Sequence, residues 1–236
     1  MKGVNDKITL TPDAVRASVV YQKEAGATMT VLELLPEPEW LKKQMLVQAA
    51  LNIILCEEDW LRYHSFDPNW GQNISLAKID NGAGDHLFIL FASEGTLLKG
   101  FDHESELSPY ANDEEEIAPG IYEAVPSALS HLLEDDALER EDVTFCIWRE
   151  KSDTAWKKGN AEVSEHVDGS GFLIGAIFQT AEDYVEFAEG YFEQQLPFEV
   201  VSKIYQGNPI TDEMIRTLNP ERNVEETLKE LAELGF

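Results

Sequence analysis

The stretch GFDHESELSPY at residues 100 to 110 gathers the side chains that chemistry most often uses. His103 stands between Asp102 and Glu104, Ser105 follows, and Pro109 and Tyr110 close the stretch. A carboxylate beside an imidazole orients the ring and raises its basicity, which general-base chemistry uses. Along an extended chain, neighbouring side chains point to opposite faces. His103 and Ser105 then share one face as a base with its nucleophile. Asp102 and Glu104 share the other as a weak candidate pair for a divalent cation. A reaction here requires a pocket at this segment. The competing expectation is a strand end whose polar side chains satisfy nearby backbone groups. His166, with Glu165 and Asp168 close by, is the one other place where imidazole and carboxylate crowd together.

Other catalytic signatures are missing. The five histidines, His64, His86, His103, His131 and His166, include no pair three or four apart, so no sequence-local zinc site exists. No G-x-S-x-G occurs, and Ser170 in DGSGF lacks the flanking pattern of a nucleophile elbow. DNGAGD has neither the lysine nor the glycine spacing of a phosphate loop. It resembles half a calcium loop, but the twelfth position from Asp80 is Phe91, so it reads as a hairpin turn. No cofactor is expected. Cys56 and Cys146 sit inside apolar stretches without metal-ligand spacing and read as buried free thiols.

The net charge of −27 is unevenly placed. Residues 1 to 100 carry 9 Lys+Arg against 13 Asp+Glu, whereas residues 101 to 142 carry 14 acidic residues against the single Arg140. That tract includes Asp113, Glu114, Glu115 and Glu116 in one run. Such a field repels nucleic acid and anionic lipid and speeds encounter with a basic partner. The plainer expectation is a solvated surface that keeps the chain soluble. A second candidate surface is FCIWREKSDTAWKKG, where Trp148 and Trp156 flank Arg149, Lys151, Lys157 and Lys158. Its alternatives are a hairpin whose tryptophans pack the sheet, or an interface.

The elements that position these residues follow from periodicity. A chain of 236 residues with 43% hydrophobic content supports a packed core. No apolar run reaches membrane-spanning length, and MKGVNDKITL lacks an export signal's apolar stretch, so a cytoplasmic location and no membrane partner are expected. From PEPEW onward, Leu41, Met45, Leu46, Ala49, Ala50, Ile53, Ile54 and Leu61 give near-helical spacing and a central buried helix. Before it, LTPDAVRASVV has a helix start and ASVVYQ and TMTVLELL have strand-like content, which leaves residues 1 to 35 open. NISLAKI, DHLFILFAS, GTLLKGF, DVTFCIWRE and GFLIGAIFQ read as strands of a half-buried antiparallel sheet of four to six strands. AVPSALSHLLEDD reads as a helix, and four short amphipathic helices follow Gln179. The fold class is α+β, one domain over 1 to 236, with a helical subdomain at 180 to 236 as the alternative. Nothing in the pattern sets an oligomeric state.

GFDHESELSPY, followed by PGIYEAVPSAL and DVTFCIWRE, resembles a family of bacterial proteins whose members carry a G-F-D-H-E-S stretch with S-P and an aromatic residue after it. The likeness spans roughly residues 100 to 160, with a looser echo in YVEFAEGYFEQ, and implies bacterial origin without a chemistry. In class, though not in motif, an acidic α+β chain of this size is similar to immunity proteins that neutralise basic toxins. Two functions are therefore expected. The first is a non-enzymatic protein that binds a basic protein partner through the acidic tract. The second is a hydrolase or cation-dependent enzyme at residues 100 to 110.

Overall fold

The computed structural model describes residues 30–111, 116–161 and 167–236. The helix and strand signals before residue 30 lie outside them. The Glu33 carboxylate accepts from the Thr30 N–H at 2.7 Å and closes a single-turn helix, α1 (Val31–Leu34), where TMTVLELL reads as strand. Pro38, at the first helical position, then opens α2 (Pro38–Leu55). Twelve of its eighteen residues are buried, so it is the central helix that the apolar spacing predicts. Leu61, assigned to the same face, lies beyond the helix end and is exposed. The polar members of α2 are tied inward. Gln48 donates to the Phe178 carbonyl at 2.7 Å, and Asn52 donates to Tyr184 Oη at 3.1 Å and accepts from the His64 N–H at 3.2 Å.

Six strands follow: β1 (His64–Gly71), β2 (Ile74–Asp80), β3 (His86–Phe91), β4 (Gly95–Phe101), β5 (Phe145–Glu150) and β6 (Lys157–Lys158). They form one antiparallel sheet in sequence order. DNGAGD joins β2 to β3 as a hairpin, as its glycines predict. β1 escapes sequence reading because of Pro68, which a strand tolerates at a sheet edge, and β1 is an edge.

The sheet is buried on both faces, not one. Period-two alternation sends Ala77, Ile89, Leu98 and Ile147 to an inner face against α2 and the C-terminal helices. Leu76, Leu90, Leu97 and Trp148 go to an outer face. Its cover is the acidic tract itself, which lays Ile121, Leu129, Leu132, Leu133, Leu138 and Val143 on the sheet. The helix expected there is short. α3 (Ser127–Ser130) starts only after Pro126 and gives way to 3-10 turns at His131–Glu134 and Asp136–Leu138. This irregular layer keeps its apolar side chains down and its carboxylates up.

One expected strand is a helix. GFLIGAIFQ contributes to α4 (Ser170–Gly175), because an apolar run buried on all sides carries no period that separates strand from helix. α5 (Ala181–Tyr191), α6 (Phe198–Tyr205), α7 (Asp212–Leu218) and α8 (Val224–Leu234) follow as the spacing predicts. Thr180 and Thr211 cap α5 and α7 by accepting from Asp183 N and Met214 N. Tyr184, Ala188, Val201, Ile204, Ile215 and Leu231 join the cluster that contains α2 and the inner sheet face. Among the described residues no helix is long and apolar enough to cross a membrane.

Candidate functional site

β4 ends at Phe101, and the chain then runs through successive turns, so the alternation assumed for residues 102 to 105 does not hold. Asp102 makes an Asx turn, its Oδ1 accepting from the Glu104 N–H at 3.0 Å while its carbonyl accepts from the Ser105 N–H at 3.1 Å. Asp102 and Glu104 are therefore turn partners and not a cation pair on one face. Ser105 points inward. Its Oγ donates to the Val167 carbonyl at 2.6 Å and accepts from the Leu107 N–H at 3.0 Å. The expected His103 and Ser105 nucleophile pair does not form, because the hydroxyl is committed to two backbone groups.

His103 has another partner. Register pairs His86 with Phe101, which brings the residues flanking that pair, Asp85 and Asp102, to the same end of the β3–β4 hairpin. The buried Asp85 carboxylate accepts through Oδ1 from both the His103 N–H, at 2.9 Å, and His103 Nδ1, at 2.7 Å. Its Oδ2 accepts from Asn81 Nδ2 at 2.7 Å, and Asn81 Oδ1 holds the turn by accepting from Ala83 N and Asp85 N. This network puts a proton on Nδ1 of a ring that is 42% exposed. Ligand atoms of Asp85, Asp102 and His103 lie within 4.8 Å of one another, close enough for one divalent ion.

Behind this hairpin a second polar knot fixes residues 167 to 170. Thr144 Oγ1 donates to the Asp168 carbonyl at 2.7 Å, Lys158 Nζ pairs with Asp168 Oδ2 at 2.6 Å, and Nζ also donates to Ser170 Oγ at 2.9 Å. Glu165 and His166 lie outside the described residues.

The tryptophans of the basic stretch are turned inward and not presented to solvent. Trp148 is buried under the outer layer, and Trp156 is buried with its Nε1 donating to the Pro36 carbonyl at 3.0 Å. Arg149 pairs with Glu37 at 2.9 Å, Lys157 with Asp153 at 2.9 Å, and Lys158 with Asp168. The tryptophans pack the β5–β6 hairpin, and most of the basic patch is spent on ion pairs. A cleft of about 580 Å³ lies along edge strand β1 between α2 and α8, lined by His64, Phe66, Asp67, Arg62 and Glu230. Arg62 there is held by Glu230 at 2.7 Å, and His64 by the Ala176 carbonyl at 3.0 Å.

The acidic tract keeps its charge outside. Glu104, Glu106, Glu116, Glu123, Glu134, Asp135, Asp136, Glu139 and Glu141 are exposed, with Arg140 the one lysine or arginine among the described residues of the tract. Asp113, Glu114 and Glu115 lie outside the described residues. Tyr110 sits at the margin, its hydroxyl donating to Asp142 Oδ1 at 2.6 Å and its ring edge-on to Phe101. Arg140 lies over the Tyr122 ring.

Beneath the tract lies a group that sequence reading missed. Lys99 of β4 is fully buried on the outer face, its Nζ donating to the Leu138 carbonyl at 2.9 Å and to His86 Nε2 at 3.2 Å. Burial lowers it to about 8, against the pull of Glu139, Asp142 and Glu141. Burial, and then Lys99 and Lys78, lower His86 to about 4. The signal was a lysine inside GTLLKGF at a position where the strand pattern calls for an apolar side chain. Set against known protein families, curated proteins and solved structures, the chain matches none of them.

Proposed function

We propose that the protein binds a basic protein partner through the outer surface of its acidic layer, in the manner of an immunity protein. The observation that carries this reading is the nine exposed carboxylates of the tract, seven of which, from Glu116 to Glu141, lie along the segment that covers the outer face of the sheet. Among the described residues, Glu116, Glu123, Glu134, Asp136 and Glu141 are exposed and lie in no ion pair, so their charge is offered outward. A surface of one sign steers an oppositely charged partner and excludes like-charged ones.

The test compares two variants of equal net charge. One carries Glu116→Gln, Glu123→Gln, Glu134→Gln, Asp136→Asn and Glu141→Gln, and the other carries Glu182→Gln, Glu186→Gln, Glu199→Gln, Glu213→Gln and Glu226→Gln on the C-terminal helices. Fluorescence anisotropy with a labelled deca-arginine peptide at low salt is expected to show the first variant weakened about tenfold or more, and the second less than about twofold. Equal losses in both would mean that only net charge matters, and the reading fails.

A second reading is favoured by one geometric fact, the convergence of Asp85, Asp102 and His103. These residues are a divalent-cation site in which the ion replaces the proton now lying between His103 Nδ1 and Asp85. At saturating Zn²⁺ the wild type is expected to melt about 5 °C or more higher, and His103→Gln to show no such rise. An equal rise in both, or none in either, removes this reading.

A further inference from the structure

Lys99 belongs to a row that crosses the sheet on its outer face, Lys78, Phe88, Lys99 and Cys146 on neighbouring strands. Both lysines lie over the Phe88 ring, at 5.3 and 5.1 Å. The Leu138 carbonyl reaches Lys99 because Glu139, next along the chain, adopts a left-handed conformation with φ 48°. That conformation is uncommon for glutamate, and the local structure must hold it in place. An ammonium has no lone pair, so His86 Nε2 is the acceptor in the Lys99 contact and the imidazole is neutral, with its proton on Nδ1. Glu139 Oε2 then approaches Nε2 at 3.7 Å without forming an ion pair with it. Its charge acts on the ammonium one imidazole further in.

The other groups facing Lys99 sharpen this. Cys146, opposite on β5, is buried, and burial raises its thiol, so it stays neutral. Lys78 and Asp80 on β2 face His86 but pair with each other at 2.7 Å and largely cancel. Three carboxylates remain to hold the Lys99 charge: Glu139, Glu141 and Asp142. The first two are exposed and the third is half-buried, so all three belong to the face assigned above to a basic partner.

We propose that this acidic face and Lys99 form one proton-linked unit, in which a cation docking on Glu139, Glu141 and Asp142 drives a proton off the ammonium beneath them and into solvent. The inference rests on the partner-binding reading. A docked guanidinium or ammonium neutralises the attraction that favours the charged amine, while the cost of burial stays. Neutral Lys99 keeps two N–H bonds, enough to go on donating to Leu138 and His86, so the layer stays fastened as the proton leaves. By reciprocity, if binding expels a proton, raising the pH strengthens binding.

Deca-arginine is the probe, because its guanidinium groups remain charged at all relevant pH values. Calorimetric titration at pH 8 in two buffers of widely different ionisation enthalpy reads the protons released. Wild type is expected to release a measurable fraction of one proton per peptide, and its affinity to climb between pH 7 and 9 by up to about tenfold, one pKa unit of coupling. Lys99→Met is expected to release none and to bind with a flat pH profile. Lys99→Met leaves the Leu138 carbonyl and His86 Nε2 without their donor, so its fold is checked by thermal melting before the titration. Glu139→Gln, on the exposed face, provides an independent arm and is expected to release less than wild type. Buffer-independent heats in wild type, or equal release from wild type and Lys99→Met, overturn the proposal and leave the binding surface intact. Failure of deca-arginine to bind at all removes both.

Discussion

Gly169→Ala is expected to destabilise the protein by about 3 to 5 kcal/mol and to lower its melting temperature by roughly 10 °C or more. Two costs combine at this position. Gly169 has φ +78°, a left-handed conformation that costs an alanine about 1 to 2 kcal/mol. A Cβ built there would also stand 2.3 Å from Asp102 Cβ and 2.6 Å from its Oδ2. The Asp102 Cβ is fixed to the backbone and cannot swing aside, whatever the carboxylate does. Asp102 N donates to Thr144 Oγ1 and Asp102 Oδ1 holds the turn at Glu104, so moving this aspartate disturbs both. Gly82→Ala is the control, with φ +67° and nothing within 4 Å of the added carbon, and it is expected to cost only the backbone part. Denaturant unfolding of both variants measures the difference. If the two lose the same stability, Asp102 yields freely and the GFDHES turn is not the fixed junction described here.

That junction explains why the segment looked catalytic. His103, Asp102, Ser105 and Asp168 are each engaged at the crossing of the β3 hairpin, the end of β4, the Thr144 entry to β5 and the start of α4. Where four segments meet without regular pairing, their backbone groups need side-chain partners, and short polar residues supply them. Most of what reads as reaction chemistry in GFDHES is the hydrogen bonding of a junction. Asp85 and His103 are the exception, since an exposed imidazole oriented by a buried carboxylate can also meet a ligand.

Legibility in the sequence followed physical range. β2, β3, β4 and β5 were readable because short runs rich in β-branched or aromatic residues, bounded by turn signals, are local, and so were the capped C-terminal helices. Residues 171 to 175 misled because burial on every side erases periodicity, and β1 hid behind Pro68. The partner of His103 lies 18 positions upstream and becomes visible only when the β3–β4 register is known. The charge of the acidic tract was plain in composition, but its role as the second cover of the sheet was not. That role depends on Leu129, Leu132 and Leu133 facing a surface which a half-buried sheet would leave open to water. Lys99 is the instructive miss. A charged residue mid-strand between apolar neighbours is a signal, yet only the fold shows that it lies beneath carboxylates instead of in solvent.

Acidification from pH 7 to pH 4 is expected to remove about 3 kcal/mol of stability through His86 alone, and a similar amount through His64. Both rings are held neutral inside the fold. Burial lowers each to about 4 from an ordinary 6.5. His64 is fully buried beside α2, with Nε2 facing the Ala176 carbonyl at 3.0 Å and Nδ1 near Asn52 Nδ2 at 3.4 Å. Below pH 6.5 the unfolded chain takes up a proton on each ring that the folded protein refuses until about pH 4. The stabilisation present above pH 6.5 is therefore lost progressively across that window. Relief of repulsion among the carboxylates acts in the opposite direction as they protonate, since a net charge of −27 strains the compact state at neutral pH. A variant separates the two effects. His86→Gln keeps an acceptor for Lys99, cannot titrate, and leaves the carboxylates as they are. Urea unfolding of wild type and His86→Gln at pH 7 and pH 4 is expected to show wild type losing about 3 kcal/mol more over the interval. Parallel curves would mean that His86 protonates within the fold at little cost, and the layer above Lys99 would then have to admit water.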